Sequence, residues 1–292
     1  MSYKIFGDSC LDLTEELKKD PRFEMIPLTL QVDDHLSLHD ALPIYHMITD
    51  DETFDQKAFL AMVKASPNCP KTACPSPEAF KKACECDADD IYIITLSSHL
   101  SGTYNSAVLG KKMYEEEHGK GKKNILVIDS ESASAGELNE ALAIRDMYEE
   151  GLTFSEISER ILKMRDEQQT YFVIDTLEPL RKNGRLTGLQ AFFATALNIK
   201  PVMGADHGVI IKLDQARGIT KGLARMCELA TRRAGKPEEK RAVIAHVNCP
   251  ERALQVKAEL EKRGNYREIV ITGTAGVATV YAGDGGIVLA VG

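Results

Sequence analysis

No stretch of this sequence approaches the length of an apolar membrane span, and the N-terminal MSYKIFGDSC carries no basic region followed by a long apolar core. Neither a spanning helix nor a secretory signal is therefore expected. Basic side chains are too few to balance the acids: 36 Lys and Arg against 44 Asp and Glu give a formal charge of −8. That field repels phosphate backbones and argues against general nucleic-acid binding, which leaves a small molecule or a protein as the expected partner. Cysteine is odd in number, at seven, and the one close pair, Cys84 and Cys86, has C-x-C rather than zinc-type C-x2-C spacing. These read as reduced thiols of a cytoplasmic protein. Familiar catalytic signatures are missing as well: there is no P-loop, no G-x-G-x-x-G after a strand, no H-E-x-x-H and no G-x-S-x-G. Neither a cofactor nor a metal is expected.

What is present is alternation. Short β-branched runs, YKIFGDS (3 to 9), IYIITLSS (91 to 98), ILVIDS (125 to 130), YFVIDT (171 to 176), RAVIAHV (241 to 247) and EIVITG (268 to 273), read as buried strands. Amphipathic segments such as SPEAFKKACE, AGELNEALAIRDMYEEG and TFSEISERILKMRDEQ lie between them, several opening on Ser, Thr or Pro. The pattern predicts an α/β protein of mainly parallel sheets covered by helices, and 292 residues favour two such domains. Gly151 ends one helix and Thr153 can cap the next, so the division is placed near residue 155, giving domains 1–155 and 156–292. Ligands of such sheets sit at the carboxyl ends of strands.

Those strand ends are rich in hydroxyls. KTACPSP holds Thr72 and Ser76, SSHLSGTYNSA holds Ser97, Ser98, Ser101 and Thr103, and DSESAS holds Ser130, Ser132 and Ser134. Helix capping accounts for Ser76, Ser130 and Ser134. The loop at 97 to 103 has four hydroxyls where a cap needs one, and Gly102 lets a backbone amide approach a ligand. An oxyanion or carboxylate site and a well-capped turn both fit this loop. A hydrolase-like pair of His99 with Ser98 or Ser101 is a third reading, against which no orienting acid is identifiable and near neighbours in a chain seldom reach that geometry. Cys74, with no basic neighbour closer than Lys71, reads as an inert small residue, and His246 as structural. Arg181, Lys182 and Arg185 form either a solvated basic turn or an anchor for an anionic group. Lys111, Lys112, Lys120, Lys122 and Lys123 offer transient contact with an anionic membrane, although Glu115 to Glu117 interrupt them and favour a solvated loop.

One segment does not fit. Leu36 to Ile44, LSLHDALPI, is the translation of CTT TCC CTA CAC GAC GCT CTT CCG ATC, the end of a common sequencing-library adapter. Nine consecutive matches point to an in-frame assembly error, and resequencing the locus checks it. His35, His39 and Asp40 are accordingly left out of any site despite their proximity to His46.

Taken in order and spacing, FGDSCLDL, KTACPSP, SSHLSGTYNSA, VIDSESASAG, IDTLEPLRKNGRL, LNIKP and YAGDGGIV resemble the DegV family over essentially the whole chain apart from that segment. The resemblance implies a two-domain α/β protein that binds one long-chain fatty acid in a buried slot. It also implies a relation to the acyl-carrying subunit of bacterial fatty acid kinase, which presents the carboxylate to a separate kinase subunit. The family's carboxylate-binding Thr and Ser fall on Thr72 and Ser101. Two departures stand out: the usual Thr-Ser-Gln-Pro is here Thr-Ala-Cys-Pro, with Ala73 and Cys74, and Tyr281 stands where many members have His. Tyrosine donates a hydrogen bond but brings no positive charge near neutral pH. The resulting expectation is a non-catalytic, cytoplasmic fatty-acid-binding protein with Thr72, Ser98, Ser101, Gly102, Arg185 and Tyr281 at its site. The alternative is an enzyme of acyl or phosphoryl transfer that uses Ser101 or His99 directly.

Overall fold

A computed structural model describes residues 2–33, 45–186 and 198–292. In chain order the elements begin with β1 (Tyr3–Asp8), β2 (Phe23–Ile26), β3 (Thr29–Asp33), β4 (Tyr45–Thr49), α1 (Gln56–Ala65), β5 (Lys71–Ala73) and α2 (Pro77–Cys84). There follow β6 (Asp90–Thr95), α3 (Thr103–His118), β7 (Asn124–Asp129), α4 (Ala135–Glu149), α5 (Phe154–Glu167), β8 (Gln169–Val173) and α6 (Glu178–Lys182). The chain then forms β9 (Ile199–Asp206), β10 (Val209–Arg217), α7 (Ile219–Ala234), β11 (Arg241–His246), α8 (Pro250–Arg263), β12 (Glu268–Gly273), α9 (Gly276–Ala282) and β13 (Ile287–Val291).

The described residues form three sheets. The first, β2-β1-β6-β7, is parallel throughout. Every residue of β6 is buried, which is why that strand reads as a continuous apolar run rather than an alternating one. The second, β10-β9-β8-β13-β11-β12, departs from the expected parallel arrangement, because only β11 and β12 run parallel in it. The reason is local: Asp206 and Val209 pair across His207 and Gly208, both at positive φ, so β9 and β10 form a tight hairpin. β13 then enters antiparallel between β8 and β11. The third sheet, β4-β3-β5, is a small antiparallel one that carries Thr72 opposite Leu30.

Among the described residues no strand pairing joins the segment 3–129 to 169–291, and the proposed division near 155 falls in the first turn of α5. That helix is stopped and started as its sequence dictates: Thr153 and Glu156 form a reciprocal capping box. α2 likewise begins with Pro77 behind the Ser76 cap. α4 differs from the amphipathic helix its sequence suggests. Ala135 to Ile144 are all buried, since the helix packs in one core cluster with Ile5 and Tyr92 of the first sheet and with Val243, Ala245 and Ala290 of the second. Its acids Glu137 and Glu140 are fully buried as a consequence.

The anomalous segment 36–44 lies outside the described residues. The strands that flank it end at the paired residues Asp33 and Tyr45, so removing it would leave Asp34 and His35 as a two-residue hairpin connection, the commonest kind. A chain lacking 36–44 is expected to fold with an unchanged circular dichroism spectrum and to gain about 1.5 kcal/mol, because the loop to be closed is more than halved twice over. A loss of stability in denaturant titration would mean that the segment is native.

Candidate functional site

Between the first and second sheets lies a cavity of about 820 Å³, a volume that includes its open mouth. Its walls are mostly aliphatic and aromatic. Leu96, Leu100 and Ala133 come from the loops that follow β6 and β7; Phe172, Ile174, Ile210 and Val288 come from the second sheet and the loop after β8; Val277 and Ala278 come from α9. The apolar lining is that of a site for a small hydrophobic ligand.

At one end the lining becomes polar. Thr72 Oγ1 and Tyr281 Oη are 2.9 Å apart although 209 positions separate them in the chain. The Arg185 guanidinium carbon stands 5.5 Å from the centroid of the Tyr281 ring, over which it lies as a cation. Arg185 is held there by donating its Nε–H to the Leu100 carbonyl at 3.2 Å and an Nη1–H to that of Asn183. Ser101 completes the group, its hydroxyl 2.8 Å from that of Thr103 and accepting the Thr103 amide N–H at 3.3 Å. Ser101 thus sits at the N-terminal end of α3, where the peptide dipoles favour an anion. These are half-buried neutral donors beside one cation, which suits a carboxylate better than an uncharged head.

Four of the six expected site residues, Thr72, Ser101, Arg185 and Tyr281, therefore line one end of one cavity. Gly102 does not line it; it caps α3, and a side chain there would meet Cys74 Sγ at 3.5 Å. Ser98 is exposed, its amide N–H donating to Asp129 at 3.0 Å, so it belongs to the turn. His99 is exposed too, and the Ser101 hydroxyl pairs with Thr103 rather than with that imidazole. Cys74 is exposed with Ser106 as a distant neighbour at 3.9 Å, and His246 accepts the Cys249 amide N–H at 3.3 Å, a structural contact. In the basic turn, Arg181 bonds Glu178 and only Arg185 reaches the cavity. Of the five lysines, Lys111 and Lys123 are tied to backbone carbonyls of Ile125 and Cys84 and so do not form a free basic patch.

Ser132, Ser134 and Cys10 also line the cavity. Ser134 was expected to cap α4; it holds the N-cap position, but at φ 56° its hydroxyl turns away from the helix and donates to Asp12 Oδ2 at 2.5 Å. Burial raises Asp12 to about 8 and Asp8 to about 6. Desolvation raises Glu137 as well, further than the neighbouring acids alone would.

A family model described as "Uncharacterised protein, DegV family" matches residues 2–291. The chain belongs to the DegV family. Among curated DegV relatives, a DegV domain-containing protein of Streptococcus gordonii is 31% identical over 99% of this chain and 98% of its own. A solved DegV structure from Ruminococcus gnavus, refined with vaccenic acid, is 43% identical with a TM-score of 0.92, covering 99% of both chains. The Streptococcus pneumoniae Fatty Acid Kinase (Fak) B3 protein, loaded with linoleic acid, is 30% identical with a TM-score of 0.86 over 99% of both. All seven cysteines of this DegV chain are free. Among its described residues no helix is long and apolar enough to cross a membrane, and no group of His, Cys, Asp and Glu is arranged to hold a metal ion.

Proposed function

We propose that this protein binds one long-chain fatty acid in the slot, holds its carboxylate with Thr72 and Ser101 beside Tyr281 and Arg185, and presents it in the cytoplasm to a separate fatty acid kinase subunit. The observation that carries the reading is an apolar cavity lined, beside Tyr281, by hydroxyls contributed by distant parts of the chain. The fatty acids named with the related structures and the kinase named with one of them support it.

The energetics agree. A tail of about fifteen carbons, at roughly 0.8 kcal/mol per buried methylene, offers on the order of 12 kcal/mol before the costs of association. The carboxylate must then be hydrogen-bonded, since an unpaired buried charge would cancel much of that gain. Arg185 commits two of its five N–H groups to backbone carbonyls, which fixes the guanidinium in place and leaves three donors and the positive charge for the carboxylate. No step of the reading requires a cofactor, and any contact with a membrane is transient. For the acyl- or phosphoryl-transfer alternative, the Ser101 hydroxyl pairs among the described residues with the Thr103 hydroxyl rather than with a base.

Mass spectrometry of the purified protein tests this. One long-chain fatty acid per chain is expected, and the loaded protein mixed with a fatty acid kinase subunit and ATP should yield acyl phosphate. An empty protein that hydrolyses acyl esters, and stops when Ser101→Ala is made, would replace the carrier reading with the enzymatic one.

A further inference from the structure

Away from Tyr281, the slot and a second cavity share a thin wall that is largely polar. Thr170, Phe172 and Ile174 alternate along β8 and just past it, and all three line the slot, so the chain runs beside it for about 13 Å at ~3.3 Å per residue. Ile174 packs with Leu180, Ala282 and Tyr281 at the hydroxyl end; Thr170 marks the opposite one. There the Thr170 and Ser132 hydroxyls pair at 2.6 Å, and both side chains are buried. Ser132 fits only because residue 136 is glycine, as a Cβ there would stand 1.9 Å from Ser132 Oγ.

Behind the wall is the second cavity, of about 740 Å³ including its open mouth, lined by Arg165, Gln168, Asp206, His207 and Arg233 among others. Glu131, Ser132, Thr170 and Ala205 face both cavities. The wall is drawn from both sides of the slot, with Glu131 and Ser132 following β7 and Thr170 and Ala205 lying on β8 and β9; Glu131 is also tied across to His207 at 3.0 Å.

We propose that the Ser132–Thr170 pair is the end-stop that sets the longest acyl chain the slot accepts. The inference rests on the fatty-acid reading above. Each methylene up to the wall adds about 0.8 kcal/mol. One methylene more must part the two hydroxyls, leaving buried donors unpaired, and must enter a space lined by charged groups where apolar burial gains nothing. Affinity therefore rises with chain length to the wall and falls beyond it, and the second cavity is a latent extension.

The test offers delipidated protein an equimolar ladder of saturated fatty acids that differ by two carbons, and reads the bound fraction by mass spectrometry. Thr170→Ala is expected to move the favoured chain one rung longer, changing the ratio of adjacent rungs by about tenfold, the worth of two methylenes. Thr170→Ile, which thickens the wall, is expected to move it one rung shorter. If Thr170→Ala fails to fold, Thr170→Val and Ser132→Ala carry the same test, since each removes one hydroxyl of the pair. Identical length profiles in the parent and the folded variants would overturn the end-stop while leaving the fatty-acid reading intact. A parent protein that takes up no fatty acid at all would overturn both.

Discussion

A chain carrying Thr72→Ala and Ser101→Ala together is expected to bind long-chain fatty acid roughly 100- to 10,000-fold more weakly than the parent, with a melting temperature within a few degrees of it. A hydrogen bond to a charged group contributes about 1.5–3 kcal/mol, and two are removed. The tail still gains its burial, so binding is weakened rather than abolished, and isothermal titration with delipidated protein should measure the difference. The effect on folding is expected to be small: Thr72 lies on the short edge strand β5, and Ser101, whose hydroxyl accepts one amide N–H at the start of α3, precedes that helix, both half-buried. The Tyr281 hydroxyl has Thr72 as its partner, so Tyr281→Phe should cost less than either single change at Thr72 or Ser101. Unaltered affinity in the double variant would show that the carboxylate sits elsewhere, with the wall at Ser132 and Thr170 the first place to look.

How much of this was legible in the sequence differs between skeleton and site. β1, β6, β7, β8, β11 and β12 are all announced by β-branched runs, and α2 and α5 by their caps, because these signals are local. Strand direction is not local. The β9–β10 hairpin is marked only by His207 and Gly208, and the insertion of β13 between β8 and β11 leaves no trace in periodicity. At the site, the head-group residues stand out since hydroxyls and an Arg are unusual at strand ends. Phe172, Ile174, Ile210 and Val288 do not, because an apolar residue facing a slot and one facing a core are the same residue in a sequence. Ser98 and Gly102 show the converse error, in which a crowded loop offers more polar groups than the cavity has room for. Ser134 shows a third: its position predicts a cap, whereas its partner, Asp12, comes from 122 residues away.

That partner belongs to a set of buried acids, and the second large effect is expected there. Glu137→Gln should stabilise the protein at neutral pH, and the gain should vanish near pH 4. Glu137 is fully buried on α4, facing Asp8 and the Cys10 thiol without a hydrogen bond of good geometry to either carboxyl oxygen. Burial first, and the charges of Asp8, Glu140 and Asp12 after it, hold its carboxyl protonated well above the ordinary glutamate range. The unfolded chain ionises that group near pH 4, so folding at neutral pH must take up a proton. The contribution is thus fully favourable below the unfolded value and is lost as pH rises toward the folded one. Asp8, at about 6, and Asp12, at about 8, act in the same direction over pH 4 to 8. Asp146 and Asp175, lowered by Arg and Lys partners against the effect of burial, act in the opposite direction but only as pH falls below the ordinary carboxylate range. The parent should therefore melt at a higher temperature at pH 5 than at pH 8, and Glu137→Gln should flatten that slope; a variant that loses stability equally at both pH values would show that Glu137 is ionised in the fold. The same cluster lies behind Cys10 and Ser134 at the slot wall, so a neutral Glu137 also keeps an uncompensated negative charge away from an apolar tail.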